Sequence, residues 1–178
     1  MEIQRNIPLL EEILGEYRPI IGKVYDGYKN HVYRMIHFCL ALGAREEDLD
    51  KLAIAGAFHD LGLFTENTVD YLPPSIELAR DYLRKSGREA WTTEVELMID
   101  MHHKLTAYKD PDYPLVEIFR RGDLVDFSLG LVKKGVPAQV VRDVRAAFPN
   151  AGFHTYLLRI GTIWSFKHPL NPAPIYKW

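Results

Sequence analysis

Residues 49–64 read LDKLAIAGAFHDLGLF, and this stretch decides the class of fold. Leu52, Ala55, Gly56 and His59 recur at the three- and four-residue steps that place side chains on one face of an α-helix. No alternating strand pattern competes with them. The same period runs through nearly the whole chain. It predicts helices near residues 8–17, 26–42, 46–60, 75–86, 93–104, 114–130, 137–148 and 152–166. Gly43, Gly62, Gly87 and Gly135 fall where helices should stop, and Pro73-Pro74, Pro114 and Pro137 where they should start. Thr93 with Glu96 has the spacing of a capping box. The expected architecture is all-α, a single domain spanning 1–178. Its end, HPLNPAPIYKW, carries Pro169, Pro172 and Pro174 and so cannot be helix. From about residue 168 it is expected to be an extended tail, pinned by Tyr176 and Trp178 or crossing to the partner copy of a homodimer.

Composition narrows the function classes. A chain of 178 residues, 47% hydrophobic and 26% charged, suits one globular domain. Its formal charge is −2, and Arg120-Arg121 and Lys133-Lys134 are isolated basic doublets. An extended nucleic-acid groove is therefore not expected, whereas a small anionic substrate needs only one or two cations. No run approaches the roughly 20 apolar residues of a membrane span. The N-terminal MEIQRNIPLLEEILGEY is too acidic for a signal peptide. Cys39 stands alone among apolar residues, which rules out intramolecular disulfides and multi-thiolate zinc sites and marks a buried, inert thiol. A reducing cytoplasm is the expected location.

Several polar side chains interrupt apolar faces. His31 lies beside the stripe Tyr28, Val32, Met35, Cys39 and Leu42. His59 continues the row of its helix, and Asp60 follows it at the helix end. His102 continues Val95, Met98 and Ile99. Asp123 sits between Phe119 and Phe127. One buried histidine is usually just a hydrogen-bonded core residue. A carboxylate between two phenylalanines needs a cation, and no base shares its own helix face, although Arg120 or Arg121 could reach it. Several such residues on several helices favour a shared metal ion.

The ordered set His31, His59-Asp60 and Asp123, with YKNHVYRM, AFHDLG and RRGDLVDFS around its members, resembles the HD-domain metal-dependent phosphohydrolase superfamily. The similarity runs from about residue 25 to 130. It implies a helical bundle of the HD type. It also implies a metal-activated water acting on a small phosphate ester, with nucleotides among the candidates. His31, His59, Asp60 and Asp123 would hold the ion, with Asp60 also catalytic. Two imidazoles and two carboxylates suit Mn, Fe, Co, Ni or Zn, with one ion favoured over two. HD-type folds also host di-iron oxygenases, hydratases and non-catalytic regulatory modules, so those alternatives stand beside the hydrolase.

Supporting roles come from spacing and, for the phosphate role of Arg34, from the H-x-x-R that the resemblance includes. Arg34, one turn after His31, would clamp phosphate or else form a surface salt bridge. Lys104 would steady the same phosphate. His102 is the inward member of the pair His102-His103, a proton donor or a second-metal ligand, and His103 should point outward. Glu66 and Asp70 are loop acids, near the metal or simply solvated. Asp126 would orient a ligand from behind. His37, His154 and His168 have no partner visible in the sequence.

Overall fold

The computed structural model describes residues 2–177. They form α1 (Pro8–Ile21), α2 (Tyr25–Ala41), α3 (Leu49–Phe58), α4 (Gly62–Thr65), α5 (Leu72–Lys85), α6 (Thr92–Met101), α7 (Pro114–Phe127), α8 (Ala138–Ala147) and α9 (Phe153–Lys167). Among the described residues there is no strand, only an isolated bridge between Lys104 and Lys177. The all-α expectation holds. No described helix is long and apolar enough to cross a membrane.

Helix α2 is the axis. Tyr28, Val32, Met35 and Cys39 form its apolar stripe, yet Tyr33, Ile36 and Phe38 on its other sides are buried too. A helix covered all round must lie inside, and α2 packs against α1, α3, α7, α8 and α9. Two glycines let its neighbours come close. A Cβ on Gly56 of α3 would sit 2.7 Å from Val32 Cγ1, and one on Gly122 of α7 would sit 2.5 Å from Cys39 Sγ. Gly56 precedes His59 by one turn and Gly122 adjoins Asp123, so these close approaches bring both residues toward His31. Gly122→Ala is therefore expected to cost roughly 1–3 kcal/mol through overpacking, read as a lower urea midpoint. An unchanged midpoint would show that the α2–α7 contact has slack.

Some boundaries differ from expectation for identifiable reasons. Helix α1 runs through Pro19 to buried Ile21, because a proline in the last turn removes only one helical hydrogen bond. Gly62 does not end a helix: it opens α4, and its missing side chain makes room for the Tyr71 carbonyl, 2.5 Å from where a Cβ would lie. No capping box forms at Thr93. A 3₁₀ turn at Glu89–Trp91 feeds straight into α6, so Thr93 lies inside the helix and Glu96 pairs with Arg80 instead. Helix α7 stops at Phe127 because Leu129 and Gly130 adopt left-handed φ of 56° and 81°. The tail beyond Lys167 is non-helical and folds back on the domain, with Leu105 N–H donating to the Lys177 carbonyl and Lys177 paired to Asp100. Trp178 lies outside the described residues.

Candidate metal centre

The doublet His59-Asp60 lies just past the end of α3. The helix's last carbonyls need partners there, and the buried Tyr28 hydroxyl donates to that of Ala57 at 2.9 Å. His59 uses its Nδ1–H on the Gly56 carbonyl at 2.7 Å. From α2, His31 uses its Nδ1–H on Asp126 Oδ2, also at 2.7 Å. Both rings thereby carry their lone pair on Nε2, and the two Nε2 atoms face each other at 3.1 Å. Two acceptors that close repel unless something positive lies beside them.

Carboxylates complete the cluster. Asp60 Oδ2 lies 3.3 Å from His59 Nε2 and 3.9 Å from His31 Nε2. Asp123 Oδ1 lies 3.5 Å from His31 Nε2. His102, just past the end of α6, donates Nδ1–H to the Ile99 carbonyl and turns Nε2 to within 3.5 Å of Asp60 Oδ1. Both of these atoms are buried without a hydrogen-bond partner. Ligand atoms of His31, His59 and Asp60 fall within one ion's reach, and so do those of Asp60, His102 and His103. The donor set of neutral imidazoles and buried carboxylates fits a divalent transition ion.

Electrostatics tell the same story. Burial would push the Asp60 carboxyl up, but His59 and His102 outweigh it and hold the group well below the ordinary range. Burial lowers His59, yet Asp60 and Asp123 together push it up to about 9. Asp123 is raised by burial against the pull of His102, His31 and His59. Without metal, this cluster keeps a proton where a cation would fit.

Around the cluster, expectation and structure part in places. Asp126 lies behind His31 and accepts from its Nδ1. Arg34 is not turned toward a substrate. Its Nη2 donates to Asp126 Oδ2 at 2.7 Å and its Nη1 to the Phe148 carbonyl at 3.0 Å, with the side chain buried. The H-x-x-R spacing placed it on the correct side, but Asp126 claims it. Lys104 does not line the cavity over the cluster. Glu66 is exposed and Asp70 likewise, and neither lines that cavity, because the loop after α4 turns them to solvent. His103 points inward rather than outward: α6 ends at Met101, so helical phase no longer applies, and its Nε2 accepts from the Tyr71 hydroxyl at 2.6 Å. Burial and neighbouring His102 hold His103 well below its usual value, leaving it neutral to accept that bond.

Three participants were not foreseen. Tyr71, buried at the start of α5, is one. His154 on α9 bonds the Asp126 carbonyl through Nε2 at 3.0 Å and lines the cavity. The tail is the third, with Pro172, Ala173, Ile175 and Tyr176 roofing the cavity. None had a sequence signal, since each acts through a contact distant along the chain. His37 is structural, donating to the Tyr33 carbonyl and accepting from Gln4 N–H, and His168 stacks on Trp164.

The family model described as HD domain matches residues 28–128, more than half of the chain. The chain belongs to the HD-domain family. Members of that family are mostly metal-dependent hydrolases. No curated protein and no solved structure matches the chain at significant similarity. In this HD domain the match spans α2 to α7, which carry the whole His/Asp cluster. Helix α9 and the tail, which close the cavity, lie beyond it.

Proposed function

We propose that this HD domain is a metal-dependent hydrolase acting on a small phosphate ester. The observation that carries the proposal is the convergence of partnerless or mutually facing lone pairs of His31, His59, Asp60 and His102 beneath a cavity. His31, His59, Asp60 and Asp123 would hold one divalent ion, of Mn, Fe, Co, Ni or Zn. When bound, such an ion supplies a water acidic enough to ionise near neutral pH and a positive charge facing a phosphoryl oxygen. Asp126 fixes the tautomer of His31, and Arg34 holds Asp126. His102 Nε2, on the far side of Asp60, is placed to accept or return a proton. Tyr71 and His103 hold each other beside the cavity and shape its floor. The buried lone cysteine agrees with a cytoplasmic setting.

A second reading, hydration of a small neutral molecule at the same centre, is favoured by one observation. No lysine or arginine is among the residues lining the cavity. Protein purified without added metal, then assayed with phosphate monoesters across these ions, separates the two. Ion-dependent phosphate release that chelation abolishes supports the hydrolase. Hydration of a small nitrile without phosphate release would move the function to the second reading.

His102 distinguishes one ion from two. His102→Ala is expected to keep one metal per chain while turnover falls about 10²–10⁴-fold, the range for a lost acid or base. Two tightly held irons in the unmutated protein, one lost in the variant, would instead make His102 a ligand and favour oxidation.

A further inference from the structure

We infer that the non-reacting part of the substrate is a compact apolar group rather than a nucleoside, seated against the walls that α9 and the tail supply. The inference rests on the hydrolase reading of the same cavity and names its substrate class. His31, Asp60 and Asp123 reach the cavity floor, and above them the walls are Leu63, Val69, Phe127, Leu157, Ile160 and Ile175. The volume is about 210 Å³. Small-molecule sites commonly run from about 300 to 1,000 Å³, and an apolar cavity of about 150 Å³ suffices for benzene. A phosphoryl head and one ring fill this space.

A nucleotide meets further obstacles. Its base and sugar would bring several donors and acceptors into apolar walls, where each left unpaired costs affinity. The polar groups lining the cavity are largely committed already. Tyr71 and His103 bond each other, His154 bonds Asn150 and the Asp126 carbonyl, and the Ser165 hydroxyl donates to the Gly161 or the Pro172 carbonyl. No lining lysine or arginine offsets the charge of a second phosphate.

Gly161 lies within α9 and lines both this cavity and a neighbouring groove, with Phe127, His154, Leu157 and Ser165 shared between them. Ile175, on the tail, also lines the cavity, and trimming it removes apolar wall.

The test is binding of methylphosphonate, phenylphosphonate and AMP to the metal-loaded full chain, by calorimetry. Phenylphosphonate should bind at least about tenfold tighter than AMP, the ratio that burying roughly two methylenes' worth of apolar surface gives. Ile175→Ala should weaken phenylphosphonate and narrow its gap with AMP, with metal content and methylphosphonate affinity unchanged. AMP binding as tightly as phenylphosphonate, no binding of either phosphonate, or an indifferent Ile175→Ala in folded, metal-replete protein would overturn the inference. Turnover is scored separately. Phosphonate binding in the expected order without hydrolysis of phenyl phosphate refutes the hydrolase and leaves the apolar-group inference standing. Hydrolysis of AMP in preference to phenyl phosphate does the opposite.

Discussion

Asp60→Ala should lose its metal and its activity together. Asp60 is the one residue shared by both groups of ligand atoms, with Oδ2 facing His59 and His31 and Oδ1 facing His102. Its removal leaves the Nε2 atoms of His31 and His59 facing each other with half of the anionic charge gone from the centre. Losing a group that merely supports a ligand costs about 10–100-fold in metal affinity. Losing a charged ligand should exceed that, and metal content after gel filtration reads it directly. Asp60→Asn is the companion, since it keeps the shape and removes the charge. Full metal content in either variant would mean that the carboxylate is not a ligand.

Asp126→Ala should be the most destabilising single change near the site. The carboxylate is buried between His31 Nδ1 and the Arg34 guanidinium, and Arg34 itself is 2% exposed. Truncation strands a buried guanidinium, at a cost of about 3–5 kcal/mol. It also frees the His31 ring, so metal affinity should drop by about 10–100-fold as well. Acid should narrow the stability difference. Burial pushes the Asp126 carboxyl up, but hydrogen bonds from His31 and Arg34 hold it well below the ordinary range. A carboxyl lowered on folding stabilises fully above its unfolded value near about 3.9 and loses that contribution as pH falls toward the native value. Urea unfolding at neutral pH and again at about pH 3 measures the onset of that loss. A gap that stays constant across that range would assign the loss to packing rather than charge. Arg34→Met, which removes the stranded charge instead, should cost less than Asp126→Ala.

The candidate ligands stood out in the sequence for two reasons. His31 beside Val32 and Met35, His59 after Ala55 and Gly56, and Asp123 between Phe119 and Phe127 interrupt apolar rows at helical spacing, and the resemblance to the HD-domain superfamily joined them with Asp60 into one set. What the sequence could not show was the second ring of contacts. Arg34 and Asp126 are 92 residues apart, and spacing cannot say that one claims the other. His103 turns inward because helical phase does not extend past Met101, where α6 ends. Gly62 opens a helix where its position in the sequence suggests a stop. A glycine required for close approach to a carbonyl looks the same in sequence as one required for its backbone freedom. The tail's non-helical character followed from its prolines, but its position over the cavity depends on pairing with Leu105 and Asp100, 70 or more residues away.

The central claim is that this His/Asp cluster exists to hold a divalent cation. Elemental analysis of the protein, purified without added metal or chelator and then titrated with Mn, Fe, Co, Ni and Zn, tests it most directly. The account predicts near-stoichiometric retention or uptake of one such ion per chain, lost in Asp60→Ala. A folded protein that comes out metal-free and takes up none of the five ions would contradict it.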